Sequence, residues 1–190
     1  MKHGNEKIDL MLLAAFLSTL IYACSYPHIH KAMMMDVSDT LISINQIVNC
    51  TSSIIIGILW VRYPDKLYQR YPLFCILETI FGITLGIYFT ITNNLAVYYI
   101  ADTIIFGLIT ENILCGGSRL KKLRYTPEER EKYDIKGQII TSIATVFGSG
   151  VSILIGRIFD INITILLWAA IVGNMIDNGF YIFMFFKHKK

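Results

Sequence analysis

Residues 118–136 read SRLKKLRYTPEEREKYDIK, and this is the one long polar interruption in the chain. Seven Lys or Arg and four Asp or Glu fall within it, so the segment has to stay in water. On either side the sequence alternates between apolar blocks of about 20 residues, the length that crosses a bilayer, and much shorter breaks. Two pairs of such blocks precede the polar stretch and a third pair follows it. The pattern predicts an all-α integral membrane protein with six transmembrane helices in a single domain, residues 1–190.

Composition excludes the soluble alternative. The chain has 190 residues, with 54% apolar content against 16% charge, and a soluble domain of that size could not hide so much apolar surface. Cys24, Cys50, Cys75 and Cys115 fall singly in separate apolar blocks, without the spacing of a zinc site or a redox pair. Met1 to Lys7 followed by the apolar run from Leu10 has the outline of a secretory leader. Tyr22 is too bulky for the cleavage box that Ile21 to Cys24 would form, so we read this block as the first span.

The predicted spans are Leu10 to Tyr26, Leu41 to Val61, Leu73 to Ile91, Leu95 to Cys115, Ile139 to Ile158 and Ile163 to Phe186. Each is a helix, because hydrocarbon offers no partner to an open backbone group. With both termini cytoplasmic, 15 of the 17 Lys and Arg lie on the inner side and only Lys31 and Arg157 outside. Basic residues concentrate on the cytoplasmic side of membrane proteins, which selects this orientation in a cell membrane. The outer turns Thr92-Asn93-Asn94 and Asp160-Ile161-Asn162 are short and make their flanking helices antiparallel neighbours. The longer outer segment, Pro27 to Thr40, ends in Ser38-Asp39, a cap for the second helix. His28 and His30 in that segment have no third ligand nearby in sequence, which falls short of a metal site.

Ala144, Gly148, Ser152 and Gly156 recur every four residues on the fifth span, a small-residue face for close helix packing; Gly82 and Gly86 repeat the spacing on the third. Polar stripes run along three helices. Asn45, Asn49 and Ser52 mark the second, Gln138 through Ser152 the fifth, and Asn174, Asp177, Asn178 and Tyr181 the sixth. Such groups avoid lipid and point to protein or to a watery cavity. Glu78, Asp102, Glu111 and Asp177 lie within spans that hold no deep Lys, Arg or His. We expect Glu111 to reach toward Arg119, while Glu78 either reaches toward the nearby inner surface or stays an unpaired acid in mid-span. Asp102 and Asp177 are left as candidates for proton coupling or for holding a cation, with Asn45, Asn49, Asn174 and Asn178 as further lining.

The connector after the second span runs from Tyr63-Pro64-Asp65-Lys66 through Gln69-Arg70-Tyr71-Pro72. It resembles the signature loop of the major facilitator superfamily, Gly-x-Leu-Ala-Asp-Arg-x-Gly-Arg-Arg, with Asp65, Lys66 and Arg70 at the Asp and two of the basic positions. Val61, Tyr68 and Gln69 stand where that pattern has Gly, Gly and a base. Thr126-Pro127-Glu128-Glu129-Arg130 is similar to the Pro-x-x-Arg element before the family's fifth helix, and Gly148 to Gly156 to the glycine-rich fifth helix of its exporters. The resemblance implies half of a twelve-helix transporter whose two halves share one orientation. A parallel homodimer or a separately encoded second half would complete it, with alternating access moving a small molecule, for which the unpaired acids leave a cation as one option. Asp65, Lys66 and Arg70 would form a gating loop.

A membrane accessory protein derived from such a half is the competing expectation. No His-Glu-x-x-His, Gly-x-Ser-x-Gly or phosphate-binding loop occurs in the sequence, so neither an intramembrane enzyme nor a nucleotide-driven pump is expected. No cofactor is implied. Orientation and anionic lipid account for the basic face without nucleic acid.

Overall fold

A computed structural model describes residues 3–158 and 162–188. Among them the order is α1 (His3–Asp36), α2 (Asp39–Arg62), the short α3 (Pro64–Gln69), α4 (Tyr71–Thr92), α5 (Leu95–Ala101), a π-helical turn (Asp102–Phe106), α6 (Gly107–Arg124), α7 (Pro127–Ile158) and α8 (Ile163–His188). The segment from Leu95 to Arg124 is one rod, so the described residues form six helices long and apolar enough to cross a membrane. This is a multi-pass membrane protein.

The local chemistry at the helix ends explains the boundaries. Ser38 caps α2, its Oγ accepting from the Leu41 amide at 3.3 Å. Asn93 closes α4 with φ of 51°, the left-handed geometry that Asn tolerates better than most residues. Asn94 then caps α5 by accepting from the Val97 amide at 3.1 Å. Asn162 Oδ1 accepts from the Thr164 amide at 2.9 Å at the start of α8; the rest of its predicted turn, Asp160 and Ile161, lies outside the described residues.

Two boundaries differ from the sequence reading. The first helix does not stop at Tyr26 but continues through Pro27 to Asp36. Pro27 removes one backbone donor, and a bundle tolerates that loss where neighbouring helices and hydroxyls cover the gap. The polar stretch 118–136 is also largely helical, leaving only Tyr125 and Thr126 between α6 and α7. Lys, Arg and Glu are good helix formers, and the α7 start is built as a capping box. The Thr126 amide donates to Glu129 Oε2 at 3.0 Å while the Glu129 amide donates to Thr126 Oγ1 at 3.3 Å, with Pro127 in the first turn. Lys121 then reaches Asp134 at 3.0 Å across the hairpin.

The bundle has four inner and two outer spans. α1 packs on α7 and α8, α4 packs on α8 and α6, and α2 packs on α6 and the π turn. A smaller contact between α1 and α5 closes α1, α8, α4 and the fourth-span rod into a ring, with α7 and α2 packed outside it. Counted as spans, the main pairs are 1 with 5, 1 with 6, 3 with 6, 3 with 4 and 2 with 4. Replacing each span by the one three places away returns this same set of pairs. The glycines set the closest approaches. A Cβ on Gly148 would lie 2.6 Å from Ala23 Cβ and 2.9 Å from the Leu20 carbonyl oxygen, so α7 meets α1 backbone to backbone there. Gly116 leaves room for the ring of Tyr71, the largest fully buried side chain.

Candidate functional site

Helices α1, α4, α8 and the fourth-span rod enclose a cavity of about 280 Å³. Its wall is apolar where α8 contributes Leu167, Ala170 and Ile171, and aromatic where Tyr22 and Tyr26 of α1 face Tyr98 of α5. Two carboxyl groups open onto it, Glu78 from α4 and Asp102 from the π turn. Among the described residues no Lys, Arg or His lines it.

The two acids are held differently. Glu78 is buried, with Oε1 accepting from the Thr110 hydroxyl at 2.5 Å and Oε2 from the Asn178 amide at 2.6 Å. Asn178 also reaches Thr79 Oγ1 at 3.4 Å. Three spans therefore meet on one carboxyl group. Asp102 has no donor to its side chain among the described residues. It sits where the fourth span widens into a π turn, an irregularity that often accompanies function. Asn45 of α2 staples that turn, donating to Thr103 Oγ1 at 3.0 Å and toward the Tyr99 carbonyl at 3.5 Å.

Of the six residues expected to line a cavity, Asp102 and Asn174 line this one. Asn178 and Asn45 are buried and spend their amides on Glu78 and on the π turn. Asn49 is exposed, its Oδ1 lying over Gly107, where a Cβ would come within 2.8 Å. Asp177 is partly buried beside Ser18 of α1, away from the cavity wall. Glu78 does not reach toward the inner surface, and Glu111 does not pair with Arg119. Glu111 instead accepts from Ser53 Oγ at 2.8 Å, fastening α6 to α2, while Arg119 binds Asp65 at 2.6 Å. Glu78 had one legible sign, an acidic residue in mid-span with no base at its depth, but its two donors come from 32 and 100 positions along the chain.

Asp65, Lys66 and Arg70 lie exposed on and just after α3, with Lys66 Nζ 5.9 Å from the Tyr63 ring centre. Burial holds the nearby Tyr68 phenol above its ordinary range, while Arg119 and Arg124 pull the other way. Gly148 and Ser152 are buried against α1, and His28 of α1 lies against Gly156, its Nε2 3.0 Å from the Ser152 carbonyl oxygen. Among the described residues no three His, Cys, Asp or Glu gather as metal ligands. Comparison with family models, curated proteins and solved structures returns no significant match for this chain.

Proposed function

We propose that this chain is one half of an alternating-access transporter of the major facilitator type, carrying a small organic cation across the cell membrane. Two copies, or one copy and a second six-helix half, would face each other across the cavity, with both termini and the basic connectors cytoplasmic. The observation that carries the reading is the cavity itself, where two carboxyl groups and three tyrosines meet in mid-span and no described residue supplies a countercharge. A cation entering it gains Asp102 and Glu78 as countercharges and aromatic faces for cation–π contact. The pairing of spans under a shift of three is further support, since inverted repeats of three helices build each half of such transporters. The Asp65–Arg119 pair, joining the second connector to the fourth span, supplies a gate that can be made and broken.

Flux measures this directly. Protein reconstituted into liposomes should move ethidium down its gradient faster than protein-free vesicles do, and Asp102→Asn should reduce that flux at least about tenfold, the factor that 1.4 kcal/mol of lost charge interaction represents. Equal flux with and without protein, across a panel of organic cations, would leave the accessory role as the better reading.

A further inference from the structure

We propose that the groove between α2 and α6 is a binding site for one anionic phospholipid, with an acyl chain in its trough and the phosphodiester on Lys122 and Arg119. This rests on the protein lying in a membrane and not on its transporting anything. The groove has a volume of about 400 Å³. Gly57, Trp60, Val61, Leu114 and Cys115 line its length, then Ser118, then Arg119 and Lys122. At about 1.5 Å per residue the climb from Leu114 to Lys122 is about 12 Å. Over that distance the lining passes from hydrocarbon to a hydroxyl to two cations, the same order as acyl chain, ester and phosphate in a phospholipid.

Below Ser118 the trough is lined by apolar side chains, one thiol and one indole. Trp60 forms its floor, and the indole N–H is already spent on Asn112 Oδ1 at 3.0 Å. At Gly57 a Cβ would meet nothing within 4 Å, so the space belongs to the groove and not to a neighbouring helix. Val61 and Leu114 on the rim are 84% and 57% exposed.

Charge at the far end selects the headgroup. Lys122 is exposed, and among the described residues no carboxylate pairs with it. Arg119 uses Nη2 on Asp65, while its Nε is buried without an acceptor. Asp65, Arg119 and Lys122 together carry one net positive charge, and Arg62 and Lys66 stand close by around Tyr63. A phosphodiester without a compensating ammonium satisfies that surplus; a zwitterionic headgroup brings its own cation and does not.

Native mass spectrometry of the detergent-solubilised protein tests the assignment, with phosphatidylglycerol and phosphatidylcholine of matched oleoyl chains as probes. Phosphatidylglycerol should be retained at least about fivefold more tightly, and Lys122→Gln should lower its retention by about the same factor while leaving phosphatidylcholine unchanged. Gly57→Leu should fill the trough and displace both lipids. Equal retention of the two lipids, an unchanged Lys122→Gln, or glycerophosphoglycerol binding as well as the full lipid would each overturn it. If Gly57→Leu does not assemble, Lys122→Gln decides alone, since its side chain lies on the exposed surface.

Discussion

A carboxylate at the centre of a membrane bundle has to be solvated by something, and Glu78 is solvated by Thr110 and Asn178. Replacing Asn178 by Leu keeps most of the volume but leaves one oxygen of a buried acid bare, at a cost of about 1–3 kcal/mol. The variant should therefore melt earlier in detergent. Glu78→Gln in the Asn178→Leu background should recover much of that loss, because the neutral amide needs less from its neighbours. Recovery marks a charge that the fold is built to hold; no recovery would mean that Asn178 matters through packing alone. At this scale the sequence was only partly legible. It marked Asp102 and Glu78 as acids without bases, but Glu78 acquires its role from side chains on two other spans. Asn178 and Asn45 look like cavity lining in the sequence because a polar residue in mid-span looks alike whether it faces water or a partner helix.

At the scale of elements the reading went further. Apolar run length found six spans, and Ser38 marks the start of the second helix as its composition predicted. The boundaries that shifted did so for physical reasons. Pro27 marks a helix end in the sequence, yet inside a bundle a proline removes a single bond that neighbours can compensate. The polar stretch was read as a connector because it must be wet, and a helix can be wet and still helical. Its start depends on the Thr126–Glu129 box, so Thr126→Ala should destabilise the α7 end by about 1 kcal/mol. Faster hydrogen exchange confined to residues near 127–131 would register it. Gly148 is the stricter constraint, because the atoms that a side chain would meet include the Leu20 carbonyl, which cannot swing aside. Gly148→Leu should separate α7 from α1 and cost at least about 1–3 kcal/mol. A melting temperature equal to that of the unaltered protein would show that the two helices do not meet at this glycine.

For the whole molecule, α2 and α7 matter most because each covers only one side of itself. α2 leaves Gln46 and Asn49 exposed, and α7 leaves Ser142 and Thr145 exposed, beside apolar side chains as open as Val146 at 72%. Amide and hydroxyl groups turned outward at bilayer depth fit a second bundle better than lipid. Native mass spectrometry in mild detergent should find two copies together, and Gln46→Leu joined with Ser142→Ala should weaken that association without unfolding the bundle. A strictly monomeric protein would require a different second half. The Asp65–Arg119 contact operates at this scale too. Asp65→Asn should slow ethidium flux severalfold while membrane insertion is unchanged, because an exposed pair adds little to stability.

The central claim is that the cavity between α1, α4, α8 and the fourth span opens in turn to each side of the membrane. Thiol labelling of Ala170→Cys, in a protein whose four native cysteines are replaced by Ser or Ala, tests it most directly. A membrane-impermeant maleimide should reach this position from either face of sealed, oriented vesicles, and a bound organic cation should slow the reaction from both. A thiol sealed from both faces, with and without cation, would contradict the account.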